Sequence, residues 1–343
     1  MIPTRIAIIG CGFWAHYQIA AWRELPDARI VALCDPDLAR AQLLADRFGV
    51  PQVFADAATL LATLPLDAVD IITPVATHAP LAQLAIAHRV APIIQKPMTP
   101  DLATAHALAQ ALHAAGMRGY VHENFRWQAP IRRLKTLLDA STIGAVFRAR
   151  LSFCSAFPVF ANQPALAQLD QFILMDIGTH VLDMARLLLG EANTITCHTH
   201  RVNPAIRGED VATVLLGMRS GAHCVVELSY ASRLEREAFP HTLVLVEGAH
   251  GSIRLGHAGE LAVTTRAGTT HETVPIPHYD WVEPQYALVQ SAIVACHRNI
   301  LADLRGTGTA ETTIDDNLRT LALVFGAYAT ASPPLRRGAG AEG

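Results

Sequence analysis

Three observations predict an α/β chain in two parts: an N-terminal Rossmann dinucleotide-binding domain and a C-terminal α+β domain with a mostly antiparallel sheet. The first is residues 5–20, RIAIIGCGFWAHYQIA, where an apolar run enters a glycine turn and then a helix-like pattern. The second is the alternation of strand-like and helix-like segments up to Val121, the signature of a doubly wound parallel sheet. The third is a change after Val121 to long segments in which apolar and polar residues alternate one by one. The expected division is 1–122 for dinucleotide binding, 123–331 for substrate and oligomerisation, and 332–343 as a flexible tail.

Composition bounds the possibilities. With 343 residues, 51% hydrophobic and 17% charged, the chain can build about two cores. A net charge of −3 and no long basic run give no reason to expect nucleic acid or a membrane surface as partner. No stretch approaches the roughly 18 uninterrupted apolar residues of a membrane span. The apolar N-terminal segment is too short for a signal peptide. Six scattered cysteines without a C-x-x-C pair read as reduced thiols, and so as a cytoplasmic protein.

The opening turn fits a diphosphate, and a glycine-rich turn serving packing alone is the other reading. Gly10 permits the turn, Gly12 lets the backbone approach the ligand, and the small Ala15 allows close helix–strand packing. The N–H groups at the helix start then face the anion. Residues 29–35 form a second buried strand ending in Asp35, about 20 residues beyond the turn, where this fold sets an acid against the adenosine ribose. A carboxylate there repels a 2′-phosphate, and Pro36 follows instead of a basic residue, so NAD is the expected cofactor. Asp35 could equally cap the next helix, and the two roles are compatible.

Further along, residues 37–48 read as a helix closed by Gly49, and 68–74 as a strand ending at Thr73-Pro74. A helix over 79–89 and a strand over 90–94 deliver Gln95-Lys96-Pro97 at a strand's carboxyl end, where ligands gather in such sheets. A solvated surface residue is the plainer reading of Lys96. A helix over 101–115 ended by Gly116 and a strand over 118–121 complete this half.

In the second half the expected strands are 146–155, 194–202, 211–218, 222–231, 242–247 and 252–255, with a hairpin turn at Ser220-Gly221. Helices are expected over 130–138, 176–189, 284–304 and 314–329. The chemical signal is Asp176-Ile177-Gly178-Thr179-His180 with Asp183, whose acids and imidazole share one helical face. An acid beside an imidazole raises its basicity and fixes its tautomer, which suits a general base. The same residues could form a helix start with a locally satisfied histidine. They could also begin a zinc site, but no third ligand is evident, so no metal is expected.

These residues resemble those of the Gfo/Idh/MocA oxidoreductases of sugars and cyclitols over nearly the whole chain. The ordered features are GCGFWA, Asp35, Thr73-Pro74 with His78, Lys96-Pro97, Asn124, Arg126 and the D-x-G-x-H element at Asp176. A closing Glu311-Thr312-Thr313 follows, with Asp315, Asp316 and Asn317. The combination of QKPM, HENFRWQ and RGEDVAT further resembles one sugar-dehydrogenase branch of the family. The resemblance implies NAD held by Gly10, Gly12, Phe13, Trp14, Ala15, Asp35, Thr73, Pro74, His78, Gln95 and Lys96. It implies catalysis by Lys96, Asp176 and His180, with Asn124 and Arg126 also facing the sugar, and a homodimer or homotetramer. Arg126 fits a structural ion pair as well. Two departures stand out: Gln95 replaces the motif's glutamate, leaving Lys96 less strongly paired, and residues 171–175 replace a glycine run before Asp176.

The expected reaction is oxidation of a small sugar's CH–OH by hydride transfer to nicotinamide, with His180 as base and Lys96 steadying the developing alkoxide. An NAD-retaining glycosidase and a non-catalytic NAD-dependent sensor are the other readings of the same fold.

Overall fold

The computed structural model describes residues 2–331, apart from the side chain of Asn162, so the expected tail at 332–343 lies outside the described residues. Two compact units divide the chain: Met1–Lys135 with Val274–Ala322, and Thr136–Thr273 with Leu323–Gly343.

In the first unit the apolar strand β1 (Thr4–Ile9) leads into α1 (Phe13–Arg23), which buries Ala15, Ile19 and Trp22. Then come β2 (Ala28–Cys34) and α2 (Leu38–Phe48). The Asp37 carboxylate accepts the Arg40 N–H at 3.2 Å to start α2, and Gly49 ends it. A two-residue β3 (Val53–Phe54) and a short α3 (Ala57–Thr63), capped by Asp56, fill a stretch with little sequence signal. β4 (Ala68–Ile71), α4 (His78–Ala87), β5 (Ala91–Gln95), α5 (Leu102–Ala115) and β6 (Tyr120–His122) follow. The six strands are parallel in the order β3-β2-β1-β4-β5-β6, the doubly wound arrangement whose ligands lie at the strand carboxyl ends. α6 (Ala129–Asp139) closes this stretch.

The second unit is built on β7 (Val146–Cys154), which is followed by the short α7 (Val159–Asn162) and then α8 (Thr179–Leu189). β8 (Ala192–His200), β9 (Val211–Met218), β10 (His223–Ser229), β11 (Thr242–Gly248) and β12 (Gly251–Leu255) match the expected alternation. Two strands escaped it, β13 (Glu260–Thr265) and β14 (Gly268–Thr273), the latter polar and almost wholly exposed at the sheet edge. The eight strands run β14-β13-β12-β11-β7-β10-β9-β8, antiparallel except for the parallel pair β7–β10. α8 packs on β7 and β10, burying Val181, Leu182 and Met184 near the inward residues Leu151, Phe153, Val226 and Leu228.

The units differ from the sequence-based division at 122/123. α9 (Ala287–Leu304), expected with the second domain, packs on α1, and its Ile293, Val294, Ile300 and Leu301 join the cluster of Ile6, Ile19, Trp22 and Leu33. An amphipathic pattern shows that a helix has an apolar face but not which core receives it. In α10 (Ile314–Thr330), residues up to Ala322 group with the first unit and those from Leu323 with the second.

A polar cluster lies within the first core. Asp70 of β4 is fully buried and accepts the Trp22 indole N–H at 2.8 Å; His297 of α9 stacks on Trp22 with centroids 3.8 Å apart. Burial pushes the Asp70 carboxyl up to about 7 and the His297 imidazole well below its ordinary value. A carboxyl raised on folding contributes stability that is full below its unfolded value and is lost as pH rises through the folded one. Asp70→Asn keeps an acceptor for Trp22 and removes the titration. Its melting temperature relative to the parent is therefore expected to improve between pH 5 and pH 8. An unchanged difference would assign the cluster no role in proton linkage.

Candidate active site

The glycine turn is set by contacts that sequence cannot show. Gly10 has φ +98°, and a Cβ there would stand 2.5 Å from the Ile72 carbonyl oxygen, so only glycine fits. Gly12, in contrast, has nothing within 4 Å of where a Cβ would be: the space before α1 is open to a ligand's close approach. No side chain caps this helix start. An open N-terminus preceded by a glycine with free space fits a diphosphate. Phe13 is 45% exposed and packs edge-on against Trp14 and Tyr17, which places both predicted aromatics beside the turn.

Asp35 is buried at the carboxyl end of β2. One of its oxygens accepts the Cys11 N–H at 2.8 Å and the other the Asp37 N–H at 2.9 Å. The acid therefore braces the glycine turn, while Asp37 is the helix cap. Arg40 stands 3.9 Å from the same carboxylate and is half exposed, a contact of small energetic weight.

His78 ties two loops together. Its Nε2 faces the Thr73 carbonyl at 2.8 Å, and its Nδ1 faces those of Pro97 at 3.0 Å and Met98 at 3.3 Å. Burial draws the imidazole below its ordinary value, against the pull of those three carbonyls. The Thr73-Pro74 turn after β4 is thereby fixed to the segment that carries Lys96. Gln95 folds back so that its Oε1 accepts the Lys96 main-chain N–H at 2.8 Å. Lys96 is half-buried at the carboxyl end of β5, the ligand side of the sheet.

Arg126 is buried and paired with Asp316 at 3.0 Å and Glu311 at 3.8 Å. That matches the structural role its sequence context also allowed. Asn124 is buried as well, with its amide donating to the Val289 carbonyl at 3.3 Å.

In the second unit the D-x-G-x-H element begins not as α-helix but as a π turn, Leu174–Gly178, running into α8 at Thr179. Such turns add a residue per hydrogen-bonded ring and recur at functional sites. Asp176 lies within it, and the Tyr230 hydroxyl donates to Asp176 Oδ2 at 3.0 Å. Tyr230 is itself buried against Phe172, and burial together with the adjacent carboxylate raises its phenol well above the ordinary value, so it stays a donor. His180 is buried in the first turn of α8; Asp183 is buried with Arg186 at 3.8 Å.

Glu209 holds the backbone of residues 171–175, which stand where the family motif has a glycine run. Its carboxylate accepts the N–H groups of Phe172 and Leu174 at 3.2 Å and the Tyr328 hydroxyl at 2.7 Å. Gly208 makes this possible, because a Cβ there would meet the Leu169 carbonyl oxygen at 2.8 Å. Asp210 accepts the Val202 and Asn203 N–H groups at 2.7 and 2.9 Å. Tyr230 and Glu209 were not among the sequence candidates; the RGEDVAT run was the trace of the second. Among the described residues no group of three or more His, Cys, Asp or Glu side chains is placed to hold a metal.

Asp35→Ala removes the acceptor of two main-chain N–H groups. We expect a loss of about 1–3 kcal/mol in stability and at least a ~10-fold weaker NAD affinity, measured by denaturant titration and by fluorescence titration. Undiminished NAD affinity would show that Asp35 does not organise the turn.

Comparison with known proteins places this geometry. Residues 4–123 match the Gfo/Idh/MocA model described as an oxidoreductase family with an NAD-binding Rossmann fold, and residues 131–254 match the family's C-terminal domain. The chain is 42% identical to D-apiose dehydrogenase of Rhizobium rhizogenes, across 97% of this chain and 96% of that one. It is 44% identical to D-apiose dehydrogenase of Paraburkholderia graminis, across 95% and 87%. A crystal structure of an Agrobacterium radiobacter oxidoreductase, in complex with NAD+, L-tartaric acid and magnesium, superposes with a TM-score of 0.94 at 42% identity, covering 96% of both chains. The chain belongs to the Gfo/Idh/MocA family of NAD-binding oxidoreductases.

Proposed function

We propose that this chain is an NAD-dependent dehydrogenase of a small sugar, with D-apiose as substrate and its lactone as product. The observation that carries the reading is its similarity, at 42% and 44% identity through both domains, to two D-apiose dehydrogenases. Bound NAD supplies the hydride acceptor for the carbon that is oxidised. His180 accepts the hydroxyl proton at an imidazole nitrogen, and Asp176 orients it. The Tyr230 hydroxyl holds Asp176 in turn. The Lys96 ammonium donates a hydrogen bond to the same substrate oxygen and stabilises its developing negative charge, an effect typically worth about 3 kcal/mol. The carbon–hydrogen bond breaks as hydride and the oxygen–hydrogen bond as proton, which leaves a carbonyl.

We further infer a cytoplasmic homo-oligomer. All six cysteines are free thiols, which supports a reducing compartment. The solvent face of the large sheet mixes Leu215, Val225, Leu243 and Leu245 with the cross-strand pairs Arg148–Glu247 and Arg150–Glu227, a surface suited to self-association.

A panel of aldoses and cyclitols assayed for NAD reduction tests the reading. D-apiose is expected to give the highest kcat/KM, and Lys96→Ala and His180→Ala each to lower kcat by about 100-fold or more. Undiminished turnover in both variants would sink the assignment of roles, and release of an aglycone without net NADH would favour a glycosidase. Light scattering on the same sample should give a dimer or tetramer mass; a monomer would end the assembly proposal.

A further inference from the structure

The residue before Lys96 carries no charge. Gln95 is neutral, and its Oε1 is committed to the Lys96 main-chain N–H. The neighbouring strand offers a carboxylate instead. β5 and β6 run parallel with Gln95 opposite His122, so Lys96 and Glu123 leave the sheet side by side. Glu123 is fully buried, and the Cys296 thiol donates to its main-chain carbonyl at 3.7 Å, which fixes this turn to α9.

Several charged groups surround Glu123. Lys96 and Arg126 are the cations that act on it, and Asp316 of α10 is the acid that opposes it. Asp316 pairs with Arg126 at 3.0 Å and with Arg319 at 2.8 Å, and Glu311 accepts from both terminal guanidinium nitrogens of Arg132, at 2.8 and 2.9 Å. Nearby Cys296 and His297 are neutral, since burial raises the thiol and lowers the imidazole. Register and charge together set Glu123 beside Lys96: the two follow paired residues of adjacent strands, and Lys96 is the first of the cations acting on the carboxyl. Burial disfavours the ionised form of this carboxyl, a nearby cation favours it, and the Phe125 N–H donates to Glu123 Oε1 at 3.3 Å.

We propose that Glu123 is the positioning residue of Lys96, a buried carboxylate that anchors the ammonium and holds its charge toward the substrate oxygen. This rests on the role given to Lys96 under the proposed function. It also revises the sequence expectation that Gln95 leaves Lys96 weakly paired: the carboxylate is present, carried by the adjacent strand. Burial sets the Glu123 carboxyl at about 7, with Lys96 the first of the groups drawing it back down.

Two measurements test the proposal. Glu123→Gln keeps the shape and an acceptor for Phe125. Its kcat is expected to fall about 10–100-fold while KM for NAD stays within about twofold, because only the charge behind Lys96 is lost. In the second, isotope-edited infrared spectroscopy follows the protonated Glu123 carboxyl band against pH in the parent protein and in Lys96→Met. The titration should move upward by about one pH unit or more once the cation is gone. This readout needs no turnover, so it stands even if the sugar assignment fails or Glu123→Gln does not fold. An unchanged carboxyl titration in Lys96→Met, or a Glu123→Gln enzyme with parental kcat, would overturn the proposal.

Discussion

The Asp35 carboxylate bridging two main-chain N–H groups is the constraint on which the glycine turn depends. By accepting from Cys11 and Asp37 it fixes the glycine turn against the end of β2 and the start of α2 at once. With that brace in place, Gly10 can hold its positive φ under the Ile72 carbonyl, and Gly12 can leave open the space that a diphosphate needs. The acid that the sequence pattern sets against the ribose therefore also braces the glycine turn.

The same economy governs the chemical groups. Each is held by a neighbour whose own position is buried and hydrogen-bonded: His78 ties the loop that carries Lys96, and Tyr230 holds Asp176. Glu209 secures the backbone that leads into the π turn. Polar groups buried this deeply are stable only when satisfied, so the supporting shell constrains geometry as strongly as the reactive residues do.

Much of the architecture could be read from local pattern. The helices opened by Asp37 and Asp101 and closed by Gly49 and Gly116 carry their boundaries in their caps. The hairpin at Ser220-Gly221 and the strands alternating around it were equally visible. What stayed hidden was set by tertiary context. β14 has too little apolar content to announce itself, and α9 shows an apolar face without naming the core that receives it. In the candidate site, the glycine turn after β1 and the acid at the end of β2 were legible in place from their spacing. Glu123 was not, because it reaches Lys96 through sheet register across 27 residues of chain, which no linear motif encodes. The π turn at Asp176 was likewise invisible, since the same residues read as ordinary helix.

Dehydrogenase chemistry at these residues makes one demand that no other reading shares: net transfer of a carbon-bound hydrogen from the sugar to the nicotinamide, where it remains in the product. The direct measurement is a single-turnover reaction with D-apiose deuterated at its anomeric carbon, followed by mass analysis of both products. The account predicts one deuterium in the NADH formed and none in the lactone. Deuterium returned to the sugar, or lost to solvent with NAD unreduced, would contradict it.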